Sequence, residues 1–202
     1  MAIMFFIDGE DLAGKTSVAN LFTENNQNQY LVREGKLTRA NPFLKWAKYV
    51  AKKNTLPLLS EFLYSMAALK DLFSYERCRE KEGMVIQVSS MITRGLARQR
   101  AQGKKDLFKW EKMLEKFPEP KNAFFLYNNC QKELIERFLK RSREHASTIS
   151  SDDKIIQRNI NEYFRLQEIL KDINQKRFNA HIINTKGKNL GQVVQEIREK
   201  TT

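Results

Sequence analysis

The sequence predicts an α/β domain built on a mostly parallel sheet covered on both faces, and three observations carry that prediction. Five apolar runs of strand length recur along the chain: IMFFI at 3–7, YLV at 30–32, MVIQV at 84–88, AFFLY at 123–127 and HII at 181–183. Between them lie segments of helical periodicity, and strands buried on both faces and joined by helices read in this alternating way. The third observation is size, since 202 residues with 41% apolar content fill one core of ordinary dimensions.

In chain order, Ile3 to Ile7 offers water no polar position and so predicts a central strand. Val18, Leu21 and Phe22 set the buried stripe of the helix that follows. A longer stripe, Leu59-Phe62-Leu63-Met66-Leu69-Leu72-Phe73, predicts a second helix, and Ile155-Ile156-Ile160-Tyr163-Phe164-Leu166-Leu170 a third. Leu190, Val193, Val194 and Ile197 close the chain as a terminal helix. No internal repeat, low-complexity tract or Gly/Pro linker divides the sequence, so residues 1–202 read as a single domain. Two polar segments, 100–106 and 144–153, read as irregular and as candidates to move over a site.

Charge and cysteine usage bound the setting. Lys and Arg total 36 against 24 Asp and Glu, a net charge of +12 that points to an anionic partner. That partner class covers nucleic acid, a nucleotide or an acidic membrane surface, and charge alone does not choose among them; the basic residues are spread along the chain and form no single arm, which argues against a nucleic-acid module. Cys78 and Cys130 stand apart with no Cys or His at metal-ligand spacing, which fits a reducing compartment and excludes a zinc motif. No basic leader and no apolar run of the roughly 18 residues needed for a membrane span occur, so the expected location is the cytoplasm, with no membrane partner. His145 and His181 are isolated and read as ordinary polar positions, while Trp46 and Trp110 read as helix-packing or subunit-contact residues.

The break after the first strand carries the chemistry. Gly9-Glu10-Asp11-Leu12-Ala13-Gly14-Lys15-Thr16, followed by Ser17, fits the G-x-x-x-x-G-K-[ST] pattern between a buried strand and an amphipathic helix. Glycines there let successive backbone N–H groups approach phosphate oxygens. Lys15 adds a point charge at the β- and γ-phosphates, and the Thr16 hydroxyl suits Mg²⁺ carried on ATP. A phosphate loop alone fits GTPases, ATPases, helicases and small-molecule kinases. The chain lacks an Asn/Thr-Lys-x-Asp segment for guanine and is short for a helicase core, which leaves a small phosphotransferase.

At these residues the chain resembles the thymidylate kinase family of nucleoside monophosphate kinases, in order along almost its whole length. The stretch from Asp8 to Thr16 looks like that family's phosphate loop, in-loop acid Asp11 included. Arg33-Glu34 is similar to its second-strand Arg-Glu, Pro118 and Pro120 to the prolines before its fourth strand, and Glu136 to Arg143 to the helix leading into its basic lid. The resemblance implies a three-layer phosphate-loop kinase with a five-stranded parallel sheet and a short lid near 137–153. It also implies ATP and Mg²⁺ as cofactors, a homodimer, and acceptor contacts from Asp11, Arg33, Glu34 and an aromatic at Tyr64 or Phe62.

The lid has a physical rationale of its own. Phosphoryl transfer spreads negative charge over equatorial oxygens, and guanidinium groups on a closing segment stabilise that charge. Arg137, Arg141 and Arg143 sit where such groups belong, with Arg141 and Arg143 expected to be catalytic beside Lys15; Leu12 offers no arginine within the loop itself.

Three departures from the family fall on the acceptor side. Where the family has Asp-Arg after its third strand, this chain has Gln87-Val88-Ser89-Ser90, so the metal is left to Thr16, phosphate oxygens, water and Asp8. Arg94 and Arg98, one and two turns along the next helix, are positioned to supply the missing positive charge. Lys70 stands where an arginine follows the stacking aromatic, and Gly35 where a proline follows Glu34. The sequence therefore predicts phosphoryl transfer from ATP to a nucleoside monophosphate, dTMP first among candidates. Its alternatives are a deoxynucleoside kinase, for which Asp8, Asp11 or Glu34 would be the base, and a nucleotide-binding degenerate kinase.

Overall fold

The computed structural model describes residues 3–9, 13–24, 30–34, 41–53, 56–79, 84–128, 130–144 and 159–201. Strands β1 (Ile3–Gly9), β2 (Tyr30–Glu34), β3 (Met84–Val88), β4 (Asn122–Tyr127) and β5 (His181–Asn184) form one sheet in the order β2-β3-β1-β4-β5. Every pair is parallel, with Phe6 opposite Gln87 on β3 and Ala123 on β4, and Arg33 of β2 opposite Gln87 on the other side. Seven described helices lie between the strands, α1 (Lys15–Glu24), α2 (Pro42–Lys53), α3 (Pro57–Arg79), α4 (Met91–Ala101), α5 (Trp110–Glu115), α6 (Gln131–Glu144) and α7 (Ile160–Phe178), and an eighth, α8 (Leu190–Glu199), follows β5.

The pleat of β1 sorts its apolar run between two cores, as the period of two in a strand requires. Met4 and Phe6 face one side, where α3, α4, α5 and α7 bring Leu72, Leu96, Trp110 and Leu170 against them. Phe5 and Ile7 face the other, against Val18 and Phe22 of α1 and Val193, Val194 and Ile197 of α8. Helices thus cover both faces of the central strand, which is why the run could be apolar throughout. A smaller cluster of Leu134, Phe138 and Tyr163 joins α6 to α7. Gly95 of α4 lies so close to the Trp110 ring that an added Cβ would sit 2.6 Å from it, which locks α5 onto α4.

In a parallel sheet all carboxyl ends share one edge, where ligands of open α/β folds bind. Here that edge gathers Gly9, Glu34, Val88, Tyr127 and Asn184. The segment 100–106 ends α4 and is irregular from Gln102 on. Arg94 already contacts the edge, and the segment begins roughly two turns further along α4, where Lys104 pairs with Glu61 at 3.0 Å and the Asp106 carboxylate caps α5 through the Trp110 N–H. The proposed lid divides: 137–144 continue α6 as helix, and 145–153 lie outside the described residues. The helix expected from Ile155 is described from Ile160 and continues to Phe178. Trp110 is buried as expected of a packing residue, whereas Trp46 is 65% exposed. Among the described residues no helix is long and apolar enough to cross a membrane.

Candidate active site

The site begins where β1 runs out. Gly9 adopts φ +143° and packs so tightly on β4 that a Cβ would lie 2.2 Å from the Leu126 carbonyl oxygen, so no other residue fits there. Gly14, at φ +81°, turns the chain into α1, whose first residue is Lys15. Helix α1 therefore starts directly after the loop, with Thr16 and Ser17 exposed in its first turn, the end of a helix that favours anions. Ala13 is buried and anchors the loop in the α1 core. Glu10, Asp11 and Leu12 lie outside the described residues.

Lys15 is half-buried, and its Nζ donates to the Gly9 carbonyl oxygen at 3.1 Å. Arg94 donates to the same oxygen from Nη2 at 3.0 Å. Two cations from different elements thus converge on one carbonyl at the mouth of the loop, an arrangement of donors that suits polyphosphate.

Beneath them Asp8 is 0% exposed, and protein donors engage both its oxygens. The Gly9 N–H donates to Oδ1 at 2.9 Å; the Thr93 hydroxyl on α4 and the Asn174 amide on α7 donate to Oδ2 at 2.9 and 3.3 Å. A buried carboxylate held by three donors is an anchor that fixes the loop to α4 and α7. Enclosed in this way, it is poorly placed to reach a metal on the solvent side. Among the described residues no group of three or more His, Cys, Asp or Glu could hold a metal ion.

The end of β3 shows why α4 starts where it does. The Ser89 N–H donates to the Ile7 carbonyl at 2.8 Å, and Ser89 takes a left-handed φ of +60° that turns the chain sharply. The Gln87 amide donates to the Ser89 carbonyl at 2.7 Å and braces that turn. Ser90 then caps α4 by accepting from the Ile92 N–H at 3.1 Å. The residues that replace the family's Asp-Arg therefore build the corner from which Thr93 and Arg94 reach Asp8 and Gly9.

Arg98 lies one turn beyond Arg94, beside Tyr64 of α3. Burial pushes the Tyr64 phenol above its ordinary value, and the Arg98 charge partly offsets that rise. Phe62 instead faces Phe108, with ring centroids 6.5 Å apart. Arg33 and Glu34 occupy β2 in register with Gln87 and Val88, although their side chains, like those of Arg141 and Arg143 on the last turn of α6, lie outside the description. Arg137 pairs with Glu133 along α6. Burial alone would raise the Glu133 carboxyl, but Asn128, Arg137 and the Gly187 backbone N–H hold it below the usual carboxylate value. Of the expected residues, the structure brings Asp8, Gly9, Gly14, Lys15, Thr16 and Arg94 into one cluster, with Arg98 and Tyr64 behind it.

Sequence reading missed Thr93 and Asn174, and saw Gln87 only as a lost carboxylate, not as the brace of the Ser89 turn. Thr93 carries a weak signal, adjacency to Arg94 after a serine cap; Asn174 carries none, since it meets Asp8 across 166 positions.

No protein-family model matches the sequence, and no curated protein matches it either. Solved structures do match. Thymidylate kinase from Candida albicans superposes with a TM-score of 0.71 at 17% identity, over 98% of this chain and 90% of that one. Thymidylate kinase from Ehrlichia chaffeensis gives 0.64 at 14% identity, over 100% and 99%. Deoxyadenosine kinase from M. mycoides, solved with dCMP and dCDP, gives 0.67 at 11% identity, over 98% of each chain. The chain thus has the phosphate-loop kinase fold. Within that class its architecture is similar, end to end, to that of thymidylate kinases and of a deoxynucleoside kinase.

Proposed function

We propose that the protein transfers the γ-phosphoryl group of ATP to a nucleoside monophosphate, with dTMP the leading acceptor. The observation that carries this reading is the cluster at the carboxyl end of β1: Gly9 and Gly14 in positive-φ conformations, with Lys15 and Arg94 converging on one carbonyl oxygen. In this reading Lys15 and the α1 N–H groups hold the β- and γ-phosphates, and Arg94 places a guanidinium between donor and acceptor. Arg141 and Arg143, carried by the last turn of α6, close over the transferring group; Arg33, Glu34, Tyr64 and Arg98 border the acceptor. A monophosphate acceptor attacks in line with an oxygen that is already ionised, so no general base is needed.

The donor set fits Mg²⁺ bound chiefly through the nucleotide. The Thr16 hydroxyl is exposed at the α1 start and is the protein ligand we assign; Asp8 is withdrawn from that role because its carboxylate is enclosed. When bound, the ion neutralises charge shared by the β- and γ-phosphates.

A deoxynucleoside kinase is the second reading. It is favoured by the likeness to the M. mycoides enzyme, whose TM-score lies between those of the two thymidylate kinases. A nucleoside hydroxyl needs a base, and with Asp8 enclosed the candidates narrow to Asp11 and Glu34. A homodimer fits the exposed apolar residues of α2 and α3, Trp46, Leu58, Leu59 and Phe62. The test is coupled ADP release with ATP and Mg²⁺ against a panel of nucleoside monophosphates and nucleosides. Stimulation by one monophosphate supports the first reading, stimulation by a nucleoside the second, and nucleotide binding without acceptor-dependent release a degenerate kinase.

A further inference from the structure

Gln167 of α7 is 1% exposed, and neither its Oε1 nor its Nε2 has a hydrogen-bond partner in the protein. Its neighbours on α7, Leu166, Leu170 and Ile173, are buried and apolar, so an apolar side chain would continue the stripe. A buried amide without a protein partner weakens a fold, and such groups persist where function requires them. The location is suggestive. Gln167 lines a cavity of about 10 Å³ together with Leu166, Leu170 and the Arg94, Ala97 and Arg98 face of α4. That is room for about one water molecule, and the amide and the two arginines furnish the polar partners a buried water needs.

We infer that Gln167 is a positioning residue for Arg94: through a water in this cavity its carboxamide sets the guanidinium that Arg94 presents at Gly9. The inference rests on the proposed role of Arg94 at the phosphate loop. The Asn174 amide of the same helix holds Asp8, so α7 steadies both the floor of the loop and the cation above it. A methionine in place of Gln167 has nearly the same shape and bonds to nothing, which isolates the amide from the packing.

Gln167→Met is made alone and on an Arg94→Ala background. Each protein is measured for its melting temperature, for Mg²⁺–ADP affinity by calorimetry, and for kcat and KM with the acceptor found by the panel. Gln167→Met should melt at or above the parent temperature, because it replaces a buried amide that has no protein partner with an apolar side chain that continues the Leu166-Leu170-Ile173 stripe. Alone, it should lower kcat by about tenfold, the scale of a small misplacement of a reacting group, and weaken ADP binding several-fold. On the Arg94→Ala background both effects should vanish. A lower melting temperature, an unchanged kcat, or equal losses on both backgrounds would overturn the inference. If the parent shows no acceptor-dependent release, the kinase reading fails, and ADP affinity on the two backgrounds still decides whether Gln167 acts through Arg94.

Discussion

The Arg94 guanidinium on α4 and the Gly9 carbonyl at the end of β1 are joined by a hydrogen bond of 3.0 Å. This contact brings Arg94, which the sequence offers as a source of acceptor-side charge, onto the glycine loop at the end of β1. Arg94→Ala is expected to lower kcat/KM for ATP by about 10- to 100-fold, as losing one preorganised donor to a phosphoryl group does, with the circular dichroism spectrum retained. Arg94→Lys should recover only part of the loss, since an ammonium cannot fork between two oxygens. Steady-state kinetics on the two variants check the claim, and parental values in Arg94→Ala would remove Arg94 from the site.

Lys15 makes a sharper prediction. Its Nζ bonds part-buried backbone in the loop, so Lys15→Ala should fold normally, melt close to the parent, and abolish acceptor-dependent ADP release. Retained turnover in that variant would refute phosphate-loop catalysis.

Asp8 should behave in the opposite way, as a residue whose loss is felt first in stability. Asp8→Ala strands the Gly9 N–H and one N–H of the Asn174 amide in the interior, while the Thr93 hydroxyl falls back on the Ser90 carbonyl and the other Asn174 N–H keeps Leu170. Unsatisfied buried donors cost about 2–3 kcal/mol here, a drop of roughly 5–10 °C in melting temperature for a chain of this size. Differential scanning calorimetry tests it; an unchanged transition would mean that the carboxylate anchors nothing.

Glu133 sets an acid limit. Its native carboxyl titrates below the ordinary value of 4.5 because Asn128, Arg137 and the Gly187 N–H together outweigh its burial. A depressed carboxylate contributes stability that is present above 4.5 and is lost as pH falls from there through the native value. The contribution is modest because both partners of the ion pair are about one-third exposed. Glu133→Gln should flatten the fall in melting temperature below pH 4.5 while leaving its slope near neutrality unchanged.

Much of the fold was legible in advance because its signals are local. The apolar run of β1 and the periodicity of α3, α7 and α8 reflect side-chain spacing along a single element; β1, α3 and α8 run a few residues past the expected stripe, and α7 is described from Ile160 to Phe178, beyond the expected Leu170. The phosphate loop was legible for the same reason, since Gly9, Gly14, Lys15 and Thr16 act within one turn between strand and helix. Segment 100–106 is irregular from Gln102 on, as its polar composition implies, and Lys104 and Asp106 spend that polarity on Glu61 and the α5 cap. For Asp8 a carboxylate beside the loop was visible in the sequence, but its enclosure by α4 and α7 was not.

The sequence by itself determined the class of sheet, the position of the phosphate loop and the cation at its heart, because strand burial and loop chemistry are written in consecutive residues. Only the tertiary structure decided which distant residues complete the site. Thr93 and Asn174 lie 85 and 166 positions from Asp8. They meet its carboxylate because β3 turns at Ser89 and because α7 packs beside α4. Arg94 faces the loop, rather than solvent, for the first of those reasons, and Gln167 lies beneath it for the second. Long-range contacts of this kind depend on how helices seat on a twisted sheet, a property of the packed core that no short stretch of sequence encodes.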